Sequence, residues 1–277
     1  MKLEELKAEI LRKKSFLCVG LDIDLDKVPS RFKNSPTALA DFSKAIIDAT
    51  APFAVAYKPN IAFFETYGVE GMAALKEVID YLNAHYPKHF TIADAKRGDI
   101  GNTSTRYAKA YFETLGFDSI TVAPYMGKDS VEPFLTFEEK YTILLVLTSN
   151  PGSADFQRIE ANGTPVYQSV LRTSQSWEGS QRLMYVVGAT RAEALQEIRA
   201  TIPNAFLLVP GVGAQGGSLS EVAQNGLNDD VGLLVNSSRG IIYASQKEDF
   251  EEAAATAAKT LQEEMAVLLK EKNLIKC

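Results

Sequence analysis

Residues 92–104 read IADAKRGDIGNTS, which sets a carboxylate (Asp94), an ammonium (Lys96) and a second carboxylate (Asp99) at the end of an apolar run. Alternate residues of a strand point to the same side, so Asp94 and Lys96 are expected to share one face. Lys58 closes an earlier apolar run, FAVAYKP, and can reach the same space from a neighbouring strand. The expected result is Lys, Asp and Lys in one small cavity, where each charge keeps its neighbour ionised despite burial. A structural ion-pair network closing the mouth of a barrel is the competing reading. Buried pairs stabilise poorly, because desolvation offsets much of the attraction, and the balance therefore favours catalysis.

Other chemistries are thinly provided for. The two histidines, His85 and His89, both fall in AHYPKH and read as a solvated helix-to-strand loop. A zinc centre or a Ser-His-Asp triad would need histidine in a better setting. Asp22 and Asp24 stand together near the start of the chain, but two carboxylates without further ligands make a weak metal site, and neither a metal nor a cofactor is expected. No Walker A loop and no dinucleotide fingerprint occurs. The chemistry falls to lysine, aspartate, arginine and backbone groups.

These side chains need a frame. Apolar, β-branched runs recur at FLCVGLDI, FAVAYKP, FTIADAK, SITVAP, TILLVLTS, LMYVVGAT, AFLLVPGVG and VGLLVNSS. They are continuous rather than alternating, as in parallel strands covered on both faces. Amphipathic helical patterns separate most of them, at 35–50, 68–86, 191–202 and 247–272. Eight strands alternating with helices in about 250 residues point to one (β/α)8 barrel, the α/β TIM-barrel class, spanning 1–277 as a single catalytic domain. A doubly wound open sheet is the alternative. A short amphipathic helix precedes the first strand. The connection after the fifth strand, 150–182, is unusually long and holds the only tryptophan, Trp177. It reads as a partly ordered lid or a helical excursion.

Active sites of such barrels lie at the C-terminal ends of the strands. The seventh run leads into PGVGAQGG, where glycine lets backbone approach an anion closely. The eighth leads into NSSRG, which adds Arg239. Loops after strands 7 and 8 are a frequent phosphate site in barrels, and phosphate binding is expected here.

Composition bounds the partners. Hydrophobic residues make up 46% and charged residues 23%, with a net charge of −6 and no basic block, which argues against nucleic acid. No apolar run reaches the roughly eighteen residues of a membrane span, and the charged start MKLEELKAEILRKKS lacks the apolar core of a signal peptide. Cys18 and Cys277 give no disulfide framework. A cytoplasmic protein is expected.

With these residues in view, the chain resembles the orotidine 5'-phosphate decarboxylases. DAKRGDIGNT is similar to that family's Asp-x-Lys-x-x-Asp-Ile signature. GLD at 20–22, YKPN at 57–60, TSNPG at 148–152, PGVGAQGG at 210–217 and SSRGI at 237–241 follow in the family's order. Together with APYMGKDS at 123–130 and the chain length, they resemble the longer bacterial subgroup. The long insertion after strand 5 departs from the shorter subgroup. The resemblance implies decarboxylation of orotidine monophosphate to uridine monophosphate and carbon dioxide, without cofactor, by a homodimer with shared active sites. It implies that Lys58, Asp94, Lys96 and Asp99 form a charge tetrad, with Asp99 delivered from the other subunit and Lys96 the proton donor. Asp22 and Lys58 would lie near the ribose hydroxyls, with Thr103 reaching them from the partner. Ser149 would read the pyrimidine amide edge, Gln215 and Arg239 would bind phosphate, and Ile100 and Val212 would wall the departing carboxylate. The rivals are magnesium-dependent barrels acting on keto-sugar phosphates, a Schiff-base aldolase built on Lys96, and a phosphate-binding barrel without turnover.

Overall fold

Eight parallel strands close into a ring in which each pairs with its sequence neighbour and the last returns to the first. They are β1 (Leu17–Leu21), β2 (Ala56–Pro59), β3 (Phe90–Arg97), β4 (Ser119–Val122), β5 (Tyr141–Leu147), β6 (Leu183–Val187), β7 (Leu207–Pro210) and β8 (Leu233–Ser237). The computed structural model describes residues 1–33, 35–189, 192–212 and 216–276. All eight expected runs form barrel strands, and the open-sheet alternative is set aside. Every residue of β1, β2, β4 and β6 is buried. That is why these runs carry no alternation: the interior covers one face and the helical ring the other.

The expected helices appear as Ala38–Thr50, Gly68–His85, Ala192–Thr201 and Phe250–Glu271, and the leading helix as Leu3–Lys13. The helix Ala38–Thr50 shows how the pattern works, burying Leu39, Phe42, Ser43, Ile46 and Ile47 at helical spacing. Its Phe42 meets Phe250 of the last helix at 5.4 Å between ring centroids, so first and last parts of the ring are packed together.

One expectation is sharpened and one is overturned. The insertion after β5 divides into two parts. Its second half contains the helix Val166–Ser174, which buries Tyr167 and Leu171, and Trp177 is buried just beyond it. This segment packs on β5 and fills the helical layer between β5 and β6. The first half, 150–165, forms the short helix Ser153–Phe156 and a hairpin pairing Glu160–Ala161 with Thr164–Pro165, mostly exposed but fastened to the end of β5 where the Thr148 N–H donates to Gln157 Oε1 at 2.8 Å.

His89 is also not solvated. The chain turns between Tyr86 and His89, tucking the imidazole against the Tyr57 ring at 5.4 Å. There His89 Nε2 lies 3.0 Å from the Ala51 carbonyl oxygen and 2.7 Å from Lys13 Nζ. Burial and the adjacent Lys13 cation push the imidazole down to about 4.

Candidate active site

The C-terminal ends of the strands open on a cleft of about 390 Å3. Lys58 and Asp94 line its floor, with Lys96 beside them. Lys58, from the end of β2, donates to Asp94 Oδ2 at 2.6 Å, and Lys96 donates to the other oxygen, Oδ1, at 2.6 Å. The Lys58 side chain is 5% exposed, that of Asp94 12% and that of Lys96 52%, so the cluster grades from a buried cation to one facing solvent. Burial alone would raise the Asp94 carboxyl, but the two ammonium groups override it and hold it well below the usual carboxylate range. Burial likewise opposes the Lys58 charge, and Asp94 and Asp22 more than compensate, raising the ammonium above its ordinary value. Both stay ionised across the physiological range.

The expected cluster forms, but not through regular strand alternation. Between Ala93 and Arg97 the pairing with β4 slips, and Lys96 has a left-handed φ of +46°. A long side chain adopts that conformation only when its surroundings impose it. The bulge lifts Lys96 out of the ladder and brings its ammonium back over Asp94. Beyond it, Gly98 has φ +153°, and a Cβ there would lie 2.9 Å from the Ala123 carbonyl oxygen, so this crossing of β4 needs glycine.

Past Gly98 the chain is fastened to its own barrel. The Asp99 N–H donates to Ser104 Oγ at 3.0 Å, and Ser104 Oγ donates to the Ser130 carbonyl at 2.8 Å. Asp99 Oδ1 accepts the Ile100 N–H at 2.7 Å. Asp99 forms no ion pair with Lys58 or Lys96 of its own chain. Ile100 is 60% exposed, and Thr103 is exposed one turn on. Asp99, Ile100 and Thr103 therefore stand on the rim, apart from the cleft.

Asp22 follows β1 into the cleft, where its Oδ1 is buried without a hydrogen-bond partner. Asp24 pairs instead with Lys27 at 2.7 Å. Pro210, Gly211 and Val212 from β7, and Ser237, Ser238 and Arg239 from β8, line the opposite end. Gly20 makes room for this end, since a Cβ there would fall 1.8 Å from Ser238 Oγ. Gln215 lies outside the described residues. Ser149 sits across the mouth at the end of β5, packed so closely on Gly188 that a Cβ at 188 would come within 2.7 Å of the Ser149 nitrogen. Burial pushes the Cys18 thiol up to about 12, which leaves it no nucleophilic role.

Asn236 and Tyr243 in the cleft, and Thr121 beneath Asp94, were not anticipated, whereas Asn60 of YKPN lines the cleft as its place after the second strand suggests. Asn60 pairs with Asp94 through a backbone β-bridge. Thr121 is buried and bonds to the Asp94 carboxylate. Asn236 is buried and lines the cleft with its Oδ1 unpaired. The Tyr243 hydroxyl donates to the Asp22 carbonyl at 3.0 Å and accepts the Asp24 N–H at 2.6 Å. A polar residue near the C-terminal end of an apolar strand, as in SITV and GLLVN, is the signal that could have marked Thr121 and Asn236.

The family model for orotidine 5'-phosphate decarboxylase / HUMPS proteins matches residues 15–256. The chain belongs to this family. An orotidine 5'-phosphate decarboxylase from Flavobacterium johnsoniae is 60% identical over 272 residues, covering 98% of this chain and all of that one. Another, from Christiangramia forsetii, is 62% identical over 263 residues, covering 95% and 97%. Among solved structures, the orotidine monophosphate decarboxylase of Leishmania donovani superposes with a TM-score of 0.83 at 38% identity, covering 97% of this chain and 99% of that one. The β3 cluster, the β7–β8 end and the closed barrel all fall inside the span matched by the family model.

Proposed function

We propose that this chain is an orotidine 5'-phosphate decarboxylase, acting without metal or cofactor in the last step of de novo pyrimidine nucleotide synthesis in the cytoplasm. The carrying observation is the Lys58–Asp94–Lys96 cluster, two cations on one ionised carboxylate, at the floor of a cleft whose other end is formed by the loops after β7 and β8. That pairing suits a substrate with a reacting carboxylate at one end and a phosphate at the other.

Loss of carbon dioxide from C6 breaks the C6–carboxylate bond and leaves its electron pair on a carbon with no conjugated sink. Roughly 20 kcal/mol or more of barrier reduction is required of a catalyst for so slow a reaction. The Lys96 ammonium is the group fitted to the task. It stabilises the developing charge, gives its proton to C6, and is reprotonated from water. Asp94, held ionised by its neighbours, stands beside the substrate carboxylate and disfavours it through like-charge repulsion. Lys58 keeps that carboxylate charged and aimed.

Arg239 with Gln215 would hold the phosphate, and the unpaired Asp22 Oδ1 with Lys58 the ribose hydroxyls. Ser149 would meet the pyrimidine amide edge, and Val212 the apolar wall. Phosphate binding far from C6 can be used to drive closure and preorganisation of the site, with 150–165 as the segment placed to act as a lid. The rim residues Asp99, Ile100 and Thr103 would serve a second copy of the chain in a homodimer. The exposed apolar side chain of Ile100 on that rim, with Tyr125 and Met126 exposed in the loop after β4, supports burial against a partner.

The test is to add orotidine monophosphate to the protein and follow loss of the orotate absorbance. Turnover should persist after exhaustive chelation. Strict dependence on a divalent cation would favour the keto-sugar phosphate chemistry of related barrels, and no turnover would defeat the assignment.

A further inference from the structure

We infer that Thr121 is a positioning residue for the decarboxylation proposed above, fixing through its hydroxyl both the Asp94 carboxylate and the backbone turn that aims Lys96. Thr121 lies in β4, 1% exposed, opposite the slip in β3. The Lys96 N–H, taken out of the ladder by the bulge, donates to Thr121 Oγ1 at 2.9 Å. The same oxygen carries one hydrogen, and its nearest acceptor is Asp94 Oδ1 at 3.2 Å, the oxygen that also receives the Lys96 ammonium. The Ala93 carbonyl is farther, at 3.5 Å. One hydroxyl therefore touches both ends of the Asp94–Lys96 pair. The left-handed Lys96 backbone is strained for an L-residue, and a buried N–H without an acceptor is costly. Thr121 meets that cost and so favours the bulge over a regular strand.

No substrate contact is needed for this role; Thr121 acts through Asp94 and Lys96. Its removal should therefore disturb the geometry of the proton donor while leaving the phosphate end of the cleft intact. General destabilisation also lowers apparent kcat at constant KM by removing active protein, so kcat is referred to the competent sites counted by uridine monophosphate titration, and only a loss per competent site counts for the positioning role.

The experiment compares the wild type with Thr121→Val, which keeps shape and loses the hydroxyl, and Thr121→Ser, which keeps the hydroxyl. Turnover of orotidine monophosphate by the wild type is measured first, so that failure of the functional assignment is seen separately from failure of the Thr121 role. For Thr121→Val, kcat should fall on the order of 10²-fold, the scale of a reacting group displaced by about 1 Å. KM and the affinity for uridine monophosphate should stay within about threefold. Thr121→Ser should restore kcat to within about fivefold of wild type. Should Thr121→Val not fold, as judged by circular dichroism, Thr121→Cys replaces it; its weak thiol donor should give an intermediate loss of kcat at steady KM. Wild-type kcat in the valine or cysteine variant, or a kcat loss that serine does not rescue, would overturn the inference.

Discussion

Lys58 and Asp94 meet across adjoining strands at 2.6 Å, one side chain 5% exposed and the other 12%. Thirty-six positions separate them in the chain. A carboxylate and an ammonium so far from water are held for each other, and removing Asp94 leaves Lys58 buried without its hydrogen-bonded partner.

Replacing Asp94 by Asn should accordingly cost both activity and stability. At neutral pH the destabilisation should lie at the low end of about 3–5 kcal/mol, because Asp22 still stands near Lys58. The depressed Asp94 pKa adds stability above the unfolded carboxyl value, near 3.8, and loses it as pH falls through the folded value. The raised Lys58 pKa adds stability below the unfolded value of 10.5 and loses it as pH rises through the folded one. Urea titrations of wild type and Asp94→Asn should therefore differ most between these limits and converge in strong acid. A gap that widened on acidification would contradict the pairing.

Lys96→Ala should abolish turnover while the protein still binds substrate, since the phosphate end and Asp22 are untouched. Calorimetric titration with orotidine monophosphate alongside the absorbance assay separates the two. Near-native turnover would exclude Lys96 as proton donor.

Arg239 is exposed at the far end of the cleft from Lys96, at the start of the short helix Arg239–Ile242. Its replacement by Ala should mainly weaken substrate binding, raising KM by at least about tenfold, the scale of one charge-assisted hydrogen bond. An unchanged KM would remove Arg239 from the phosphate site.

Mixing Lys96→Ala with Asp99→Ala protein should regain activity that neither has alone, because some hybrid dimers would carry one intact site. Subunit exchange is followed with tagged copies. Silence in verified hybrids would argue that each chain supplies its own Asp99.

His89 should make the fold acid-sensitive. Its imidazole is pushed from 6.5 down to about 4, so the unfolded chain takes up a proton more readily than the folded one in between, and stability falls as pH drops through that window. The neighbouring Lys13 ammonium, itself lowered to about 8 by burial, adds to the penalty for charging the ring. His89→Gln should flatten the decline in melting temperature from pH 6.5 to 4. An equally steep decline would show that other groups set it.

Much of the architecture was legible in the chain itself. Apolar runs without alternation require cover on both faces, and helical patterns between them supply it, so a parallel α/β fold follows from local composition, and eight repeats favour the barrel over the open sheet that strand pairing sets aside. The strand ends then place Asp22, Lys58, Asp94, Arg239 and Val212 around one opening without further information. These inferences succeed because burial periodicity is written along the sequence.

What the tertiary structure alone decided concerns pairings between distant segments. Two-residue spacing puts Asp94 and Lys96 together only on a regular strand, yet Lys96 sits on a bulge with φ +46°. The hydroxyl that accommodates this comes from Thr121, 25 residues away. His89 reads as a loop residue until Tyr57 and Lys13 close over it, and the insertion after β5 divides into wall and overhang only once Tyr167, Leu171 and Trp177 find the barrel. The chain specified which residues carry charge and where each strand ends. The direction in which each charge points depended on hydrogen bonds and packing between strands that the sequence keeps far apart.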